Sequence, residues 1–337
     1  MKTIVLDTNI WLSELALMSP LGCAFSHYVT VSGFKMGLPE VIEEETKYNF
    51  RKNLLEYRFN IESDYKRMLT IFGKMKELVM PSNEDIEKKV EAIFDFHKDR
   101  MIRIPFEIKS ARSSFDKIIK KEPPNSENKQ QFKDGVIWAN CLEFAKSNDV
   151  LFVTKDKGFF KDRSYEKGLP ANLLQEAQSV PCKIYIFHEL ADLLEEIKSD
   201  LSLNEDQLIK LIEKQTYDNV LKICERNEFN VENLSNRKFE VFATTDPREV
   251  SVKFSLRYDL ENKAAESRER AYAETRGEFL LDIENYDIKN FVNHGEYVFW
   301  INEDGELRET KNSYAYGNIV LGHKTIEHKI FYRLGEI

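Results

Sequence analysis

The segment at residues 2–12 limits the fold of this chain more than any other part of its sequence. A mostly β-branched apolar run ends on Asp7, and Thr8, Asn9 and a stretch with the helical spacing of apolar residues follow it. This pattern predicts a buried parallel strand with Asp7 at its carboxyl end, the edge of an open α/β sheet at which ligands bind. Thr8 or Asn9 would also cap an ordinary helix, so a functional Asp7 needs partners elsewhere in the chain.

Two further apolar runs complete a predicted sheet. Residues 149–154 end in a turn that carries Asp156, and residues 183–187 form a third candidate strand. We expect a helix over residues 10–21 and a short extended piece over 28–31 near the start of the chain. The predicted fold class is α/β, with three layers in the order α/β/α and a central parallel sheet.

Two more acids stand on predicted helices. Glu45 shares the apolar stripe of Ile42, three positions earlier, and a carboxylate on a core-facing stripe needs a partner or a metal. Glu44 is the alternative to Glu45 on this helix. Asp134 lies in the first turn of an apolar helix over residues 132–142, where the helix dipole alone would also favour an acid.

Taken in order, these motifs resemble those of the PIN-domain nucleases, in the branch with a long helical insertion. The resemblance covers roughly the first 195 residues, and its motifs are strand then Asp-Thr-Asn, Pro-Glu-Val-Ile-x-x-Glu, an acid before an apolar helix, and strand then Thr-x-Asp. It implies a nuclease that acts on single-stranded RNA, or less often on structured DNA, and it makes a toxin or defence role plausible. It places an acidic cluster on Asp7, Glu45, Asp134 and Asp156. Asn9 and Thr154 match the polar residues that orient this cluster, and Asp162 is a peripheral fifth acid.

The chemistry of such a cluster follows from electrostatics. Two carboxylates about 4 Å apart repel by roughly 4 kcal/mol at an effective dielectric of about 20, so protons or cations must neutralise the group. Oxygen ligands without His or Cys select Mg²⁺ or Mn²⁺ over zinc, and one or two such ions can activate water for phosphodiester hydrolysis. We expect Asp7 and Asp156 to be the main ligands, with Asp134 and Glu45 binding or orienting a second ion or its waters.

A long insertion, predicted over about residues 47–130, separates these motifs. Residues 47–121 contain 18 Lys and Arg against 12 Asp and Glu, while the whole chain has a net charge of −9. This pattern fits contact with a phosphate backbone and fits a solvated helix surface equally well. Residues 125–131 are expected to form a mobile loop. The candidate nucleic-acid contacts are basic residues of the insertion and its end, namely Arg112, Lys117, Lys120, Lys121 and Lys133.

The second half of the sequence changes its pattern. We predict a first domain over residues 1–197, a helical connector over 198–236, and an α+β domain with an antiparallel sheet over 237–337. A charged helix is expected over 264–276, and strands over 296–302 and 306–311. Residues 274–309 hold 10 acids against 3 bases, which suits a regulatory protein partner, an autoinhibitory contact or plain solvation. His323 and His328 lack metal-ligand spacing.

Other features limit the class of protein. Four scattered cysteines, Cys23, Cys141, Cys182 and Cys224, suggest free thiols in a reducing cytoplasm. No apolar run is long enough for a membrane span, so we expect no membrane association. Asn9 stands where a haloacid-dehalogenase-type phosphatase needs a second acid, which argues against that class. A PIN-like binding scaffold without activity stays open, and so does a homo-oligomer.

Overall fold

The structure is a computed structural model, and it describes residues 2–126, 129–197, 203–263, 271–301 and 307–312. The described residues divide into two compact units. The first falls in Met1–Leu17, Phe25–Phe59 and Lys76–Glu196, and the second in Met18–Ala24, Asn60–Met75 and from Ile197 onward. The predicted combination of a parallel α/β/α fold and a separate antiparallel sheet is confirmed.

The first unit contains a five-stranded parallel sheet. Its strands are β1 (Lys2–Leu6), β2 (Lys35–Pro39), β3 (Met101–Ile104), β4 (Asp149–Val153) and β5 (Ile184–Phe187). Their order across the sheet is β3-β2-β1-β4-β5. The chain therefore adds strands outward on one side of β1 and then on the other, and the strand order reverses between β1 and β4. A reversal of this kind opens a crevice at the carboxyl ends of the two strands, where ligands bind in open α/β folds.

Helices connect these strands. They are α1 (Thr8–Ser13), α2 (Pro20–Ser32), α3 (Glu40–Phe72), α4 (Asn83–His97), α5 (Ile108–Ile119), α6 (Phe132–Phe144), α7 (Ala171–Gln178) and α8 (Leu190–Leu193). The core strand β1 is held by burial, since Ile4, Val5 and Leu6 are at most 1% exposed. Burial of each such side chain is worth about 1.5–3 kcal/mol.

Two predictions near the start of the chain are wrong. The helix expected over 10–21 is broken, because Leu15, Ala16 and Leu17 have positive φ angles of 49°, 53° and 65°. The extended piece expected over 28–31 lies inside α2. Buried residues in this part of α2 recur at helical spacing, as in Phe25 and Tyr28, and that packing overrides the β propensity of the segment.

The insertion is helical for most of its length. The helix α3 continues for 33 residues from the parallel sheet, and α4 begins with a capping box formed by Ser82 and Asp85. Within the first unit, Lys47 of α3 forms an ion pair with Glu91 of α4 at 2.7 Å. The insertion also contains β3, a strand that the sequence reading missed, which pairs in parallel with β2 at the sheet edge.

The second unit contains a five-stranded antiparallel meander. Its elements are α9 (Glu205–Arg226), β6 (Phe229–Ala243), β7 (Glu249–Asn262), β8 (Ala271–Asp282), β9 (Asp287–Ile301) and β10 (Leu307–Asn312). The sheet order is β10-β9-β8-β7-β6. Apolar residues of α9, such as Leu208 and Ile212, share one core with the alternating residues of β7, such as Val252 and Leu256. The predicted connector 198–236 thus includes a helix of this core and the first residues of β6.

The helix expected over 264–276 is wrong where the chain is described, because residues 271–276 belong to β8. Ala271, Ala273 and Thr275 are buried while the residues between them are more exposed, which is the period of a strand. The strands expected over 296–302 and 306–311 correspond to the end of β9 and to β10. The turn at 303–305, the extended segments at 319–322 and 328–333, and His323 and His328 lie outside the described residues. None of the described helices is both long and apolar enough to cross a membrane.

Candidate active site

Asp7 follows the last residue of β1 and is buried in the crevice between β1 and β4. Its backbone N–H donates to the Val153 carbonyl of β4 at 3.0 Å, and its side chain is only 4% exposed. One carboxylate oxygen accepts the Thr8 N–H at 2.7 Å. The other accepts from the Asn9 amide and from the Thr154 hydroxyl, each at 2.6 Å. Asp7 is therefore both a helix cap and the centre of a polar network.

This environment disfavours the ionised form of Asp7. Burial raises the pKa of the carboxyl from its ordinary value of 3.8 to about 7, and the hydrogen bond from Thr154 opposes this rise. The nearby carboxylates of Asp134 and Asp156 raise the pKa further. A metal ligand in this position must lose its proton before it can bind a cation.

Asn9 and Thr154 tie the ends of β1 and β4 together. The Asn9 carboxamide donates to Asp7 and accepts the Lys155 N–H at 3.1 Å. The Thr154 hydroxyl donates to Asp7 and accepts the Asp156 N–H at 3.0 Å. Each side chain thus contacts both Asp7 and the segment that carries Asp156.

Asp134 and Asp156 share one donor, the side-chain amide of Gln131. The Gln131 Nε2 atom donates to Asp134 Oδ2 and, at 2.8 Å, to Asp156 Oδ2. Burial raises the pKa of Asp134 to about 6, against the hydrogen bond from Gln131, and the charge of Asp156 adds to the rise. Asp156 also accepts the Gly158 N–H at 2.6 Å and lies 3.7 Å from the Lys129 ammonium. Two carboxylates from α6 and from the turn after β4 are thus held side by side.

Glu45 completes the group from the α3 side. Its Oε2 atom accepts from the Thr8 hydroxyl at 3.1 Å, and its Oε1 atom accepts from the Lys133 ammonium. The charge of Glu45 contributes to the raised pKa of Asp134. Glu44 is exposed on the same helix. The structure therefore brings Glu45 to the crevice, and we call Asp7, Glu45, Asp134 and Asp156 the acidic cluster.

Other predicted residues have different placements. Asp162 is exposed and pairs with Lys167 at 3.0 Å, away from the network of the acidic cluster. Lys117 is buried on α5 and paired with Glu176, so it offers no free charge to a ligand. Lys133 contacts Glu45. The remaining basic candidates, Arg112, Lys120 and Lys121, line two cavities beside α5.

The donor chemistry of the acidic cluster fits a hard divalent cation. All four side chains offer oxygen atoms, no His or Cys stands among them, and two have raised pKa values that a cation would reverse. Among the described residues, however, no three acidic, His or Cys side chains converge as a preformed metal group. Instead, Gln131 donates to Asp134 and Asp156, Lys133 donates to Glu45, and Lys129 forms an ion pair with Asp156 at 3.7 Å. Asp7, Asp134 and Asp156 would hold a cation after the Gln131 amide withdraws, with Glu45 beside them.

The sequence reading missed Gln131. This residue and Asn125 bound the segment predicted as a mobile loop, yet both are buried, and the Gln131 N–H donates to Asn125 Oδ1 at 2.6 Å. The only available signal was a Gln three positions before Asp134. Thr8, which reaches Glu45, was read only as a cap.

Residues 4–159 match the family model described as PIN domain. No curated protein and no solved structure gives a match. The matched region begins in β1 and ends in the turn after β4, so it contains the whole acidic cluster and the network around it. The match does not extend into the antiparallel sheet of the second unit.

Proposed function

From the premise that residues 4–159 form a PIN domain, the fold of a nuclease family, we propose that this protein is a metal-dependent endoribonuclease that hydrolyses single-stranded RNA. The acidic cluster is its active site, and Mg²⁺ or Mn²⁺ is its cofactor. The observation that carries the proposal is the burial of Asp7 beside other carboxylates, which raises its pKa to about 7. Carboxyl groups with pKa values shifted this far by burial and by neighbouring charges cluster at functional sites.

The residues of the cluster have distinct roles in this proposal. Asp7 and Asp156 are the main ligands, and Asp134 and Glu45 bind a second ion or orient its waters. A bound divalent cation lowers the pKa of water and stabilises the charge that develops on the leaving oxygen. Asn9 and Thr154 fix the Asp7 carboxylate, since both donate to the same oxygen at 2.6 Å. Asp134 and Glu45 can also accept a proton from the attacking water.

The proposed RNA contacts are basic residues of the insertion and its end. Arg112, Lys120 and Lys121 are candidates for backbone contacts. Lys133 can contribute once it leaves Glu45. Lys117 is not part of this surface because its ammonium group forms an ion pair with Glu176. Structured DNA remains the alternative substrate of the same site.

The test is cleavage of an internally labelled single-stranded RNA in Mn²⁺, in Mg²⁺ and in EDTA. We expect internal cuts with either metal and none with EDTA. Asp7→Asn and Asp156→Asn should each lower the rate by at least about a hundredfold, because removal of a ligand costs more than removal of a residue that orients one. Asp95→Asn, at an exposed aspartate of α4, is the matched control and should keep its rate. An active Asp7→Asn protein would refute the mechanism, and cuts in DNA alone would change the substrate.

A second function, a PIN-like binding scaffold without activity, is favoured by one observation. Protein donors already contact all four carboxylates, and two of these donors are charged: Lys129 lies 3.7 Å from Asp156, and Lys133 donates to Glu45. Thermal unfolding with and without Mn²⁺ separates the two functions. A cation that binds only the folded nuclease at a hundredfold excess over its Kd stabilises it by about 2.7 kcal/mol. A scaffold gives no such shift, and neither does Asp7→Asn.

The cellular setting belongs to the same proposal. We place the protein in the cytoplasm because Cys23, Cys141, Cys182 and Cys224 are free thiols. A toxin or defence role suits an endoribonuclease of this kind. The acidic second half is the proposed contact for a regulatory protein or a second copy of the chain.

A further inference from the structure

A cavity of about 460 Å³ lies beside the acidic cluster. Four exposed basic side chains and two acids stand around it, and we call it the basic cavity. Its basic residues are Lys121, Lys157, Lys161 and Arg163. One of its acids, Asp162, is paired with Lys167 at 3.0 Å, so the cavity carries excess positive charge. None of its basic residues except Lys121 figured in the sequence-based binding surface.

The basic cavity is joined to the acidic cluster through Gly158. Gly158 lines it, and the N–H of Gly158 donates to Asp156 Oδ1 at 2.6 Å. A Cβ atom at position 158 would stand 2.8 Å from the Pro124 carbonyl oxygen and 3.0 Å from Asp156 Oδ1. Glycine therefore lets the wall of the cavity approach the acidic cluster closely. Lys157 and Gly158, the two residues that follow Asp156, both line the cavity.

The shape and backbone of the cavity also indicate a ligand. Its volume lies within the range of about 300–1,000 Å³ found for small-ligand sites. Pro123, Pro124 and Phe160 give it an apolar wall beside the basic rim. Asp162 and Arg163 on that rim are non-glycine residues with positive φ angles of 53° and 57°. Strained residues of this kind tend to gather at ligand sites.

We propose that the basic cavity binds the nucleotide next to the scissile phosphodiester. Lys157, Lys161 and Arg163 hold its phosphate, and the proline-lined wall packs against its sugar and base. The rim is too basic for a cation and the wall is too apolar for a simple anion site, whereas a nucleotide offers both surfaces. This inference rests on the proposed nuclease function and identifies where its substrate leaves the acidic cluster.

The test measures anisotropy of a short fluorescein-labelled single-stranded RNA with the full-length protein in EDTA, where cleavage does not occur. The variant is Lys157→Gln, Lys161→Gln and Arg163→Gln together. We expect it to bind at least about tenfold more weakly and its slope of log K against log salt to fall by about 0.7, the value for one phosphate contact on a single strand. A second variant, Lys157→Gln with Lys161→Gln, leaves the strained backbone at Arg163 unchanged and should show a smaller loss in the same direction.

The control replaces exposed lysines of the same unit that lie outside the cavity, Lys52→Gln, Lys89→Gln and Lys98→Gln. The RNA affinity of this control should stay within about twofold of that of the wild type, a change that reflects only the lower overall charge. Equal losses in control and cavity variants would overturn the proposal, because only overall charge would then matter. A cavity variant that binds normally, while the wild type cleaves RNA in Mn²⁺, would overturn the subsite and leave the nuclease intact. A wild type that neither binds nor cleaves RNA would overturn both.

Discussion

The Asp7 carboxylate should make the metal-free protein less stable as the pH rises. Its pKa is about 7 in the folded state against an ordinary value of 3.8. Below pH 3.8 both states hold the proton, and between the two values only the folded state does. Stability that is present at low pH is therefore lost as the pH rises through about 7. The difference between these two pKa values corresponds to about 4 kcal/mol of unfolding free energy, because one pKa unit is worth about 1.36 kcal/mol.

Asp7→Asn removes this titration and isolates it. The unfolding free energy of the wild type minus that of the variant should fall by about 4 kcal/mol between pH 4 and pH 8. The difference cancels groups common to both proteins, such as His97, whose pKa burial lowers to about 4 and whose effect has the opposite sign. The asparagine side chain would also face the three groups that donate hydrogen bonds to Asp7, and its own NH2 group cannot accept from them. That mismatch costs about 1–3 kcal/mol for a buried unsatisfied group but does not change with pH.

Urea unfolding in EDTA, followed by tryptophan fluorescence, measures this difference. In a Trp300→Phe background the remaining tryptophans are Trp11 and Trp138, which are at most 1% exposed in the first unit. Asp95→Asn, at an exposed aspartate of α4, is the control for the loss of one carboxylate outside the acidic cluster. A wild-type minus Asp7→Asn difference that stays constant within about 1 kcal/mol from pH 4 to pH 8 would refute the burial argument.

Three further substitutions test other parts of the site. Gln131→Ala should raise the Mn²⁺ affinity measured by calorimetry several-fold and lower metal-free stability by about 1–3 kcal/mol, because it frees two carboxylates from their shared donor; Gln130→Ala should change neither. Gly158→Ala should destabilise the first unit by about 1–3 kcal/mol in urea unfolding, since its Cβ meets the Pro124 carbonyl at 2.8 Å. Lys117→Met should cost about 1–3 kcal/mol, because Glu176 loses its ion-pair partner but stays partly solvated and keeps the hydrogen bond from Trp138, while the salt dependence of RNA binding stays unchanged.

Strand ends were the part of the site that the sequence could predict. Asp7 and Asp156 each follow a short apolar run, and the parallel pairing of β1 with β4 brings the two ends together. Glu45 could be chosen over Glu44 because it shares the inward stripe of α3. These residues depend on local periodicity, which a single sequence records well.

Errors arose where tertiary packing decides the structure. Residues 28–31 have strand propensity but bury a helical face, and residues 271–276, which follow a charged run in the sequence, alternate in burial within β8. Gln131 was missed for a related reason. Its role depends on the approach of α6 to the turn after β4, and a polar residue between two prolines and a helix looks like any loop residue. The groups that donate to a buried acid come from other parts of the chain, so the spacing of residues in the sequence does not reveal them.

Proton release is the last consequence of this arrangement. With pKa values of about 7 for Asp7 and about 6 for Asp134, the two carboxyls together hold about 1.4 protons at pH 6 and about 0.1 at pH 8. A cation must displace these protons as well as the hydrogens that Gln131 donates. Calorimetric titration of Mn²⁺ in buffers of different ionisation enthalpy counts the protons released. We expect more than one at pH 6 and nearly none at pH 8, together with tighter binding at pH 8. A titration that releases no proton at pH 6 would mean that the cation binds elsewhere than the acidic cluster, since the two carboxyls would then have kept their protons on binding.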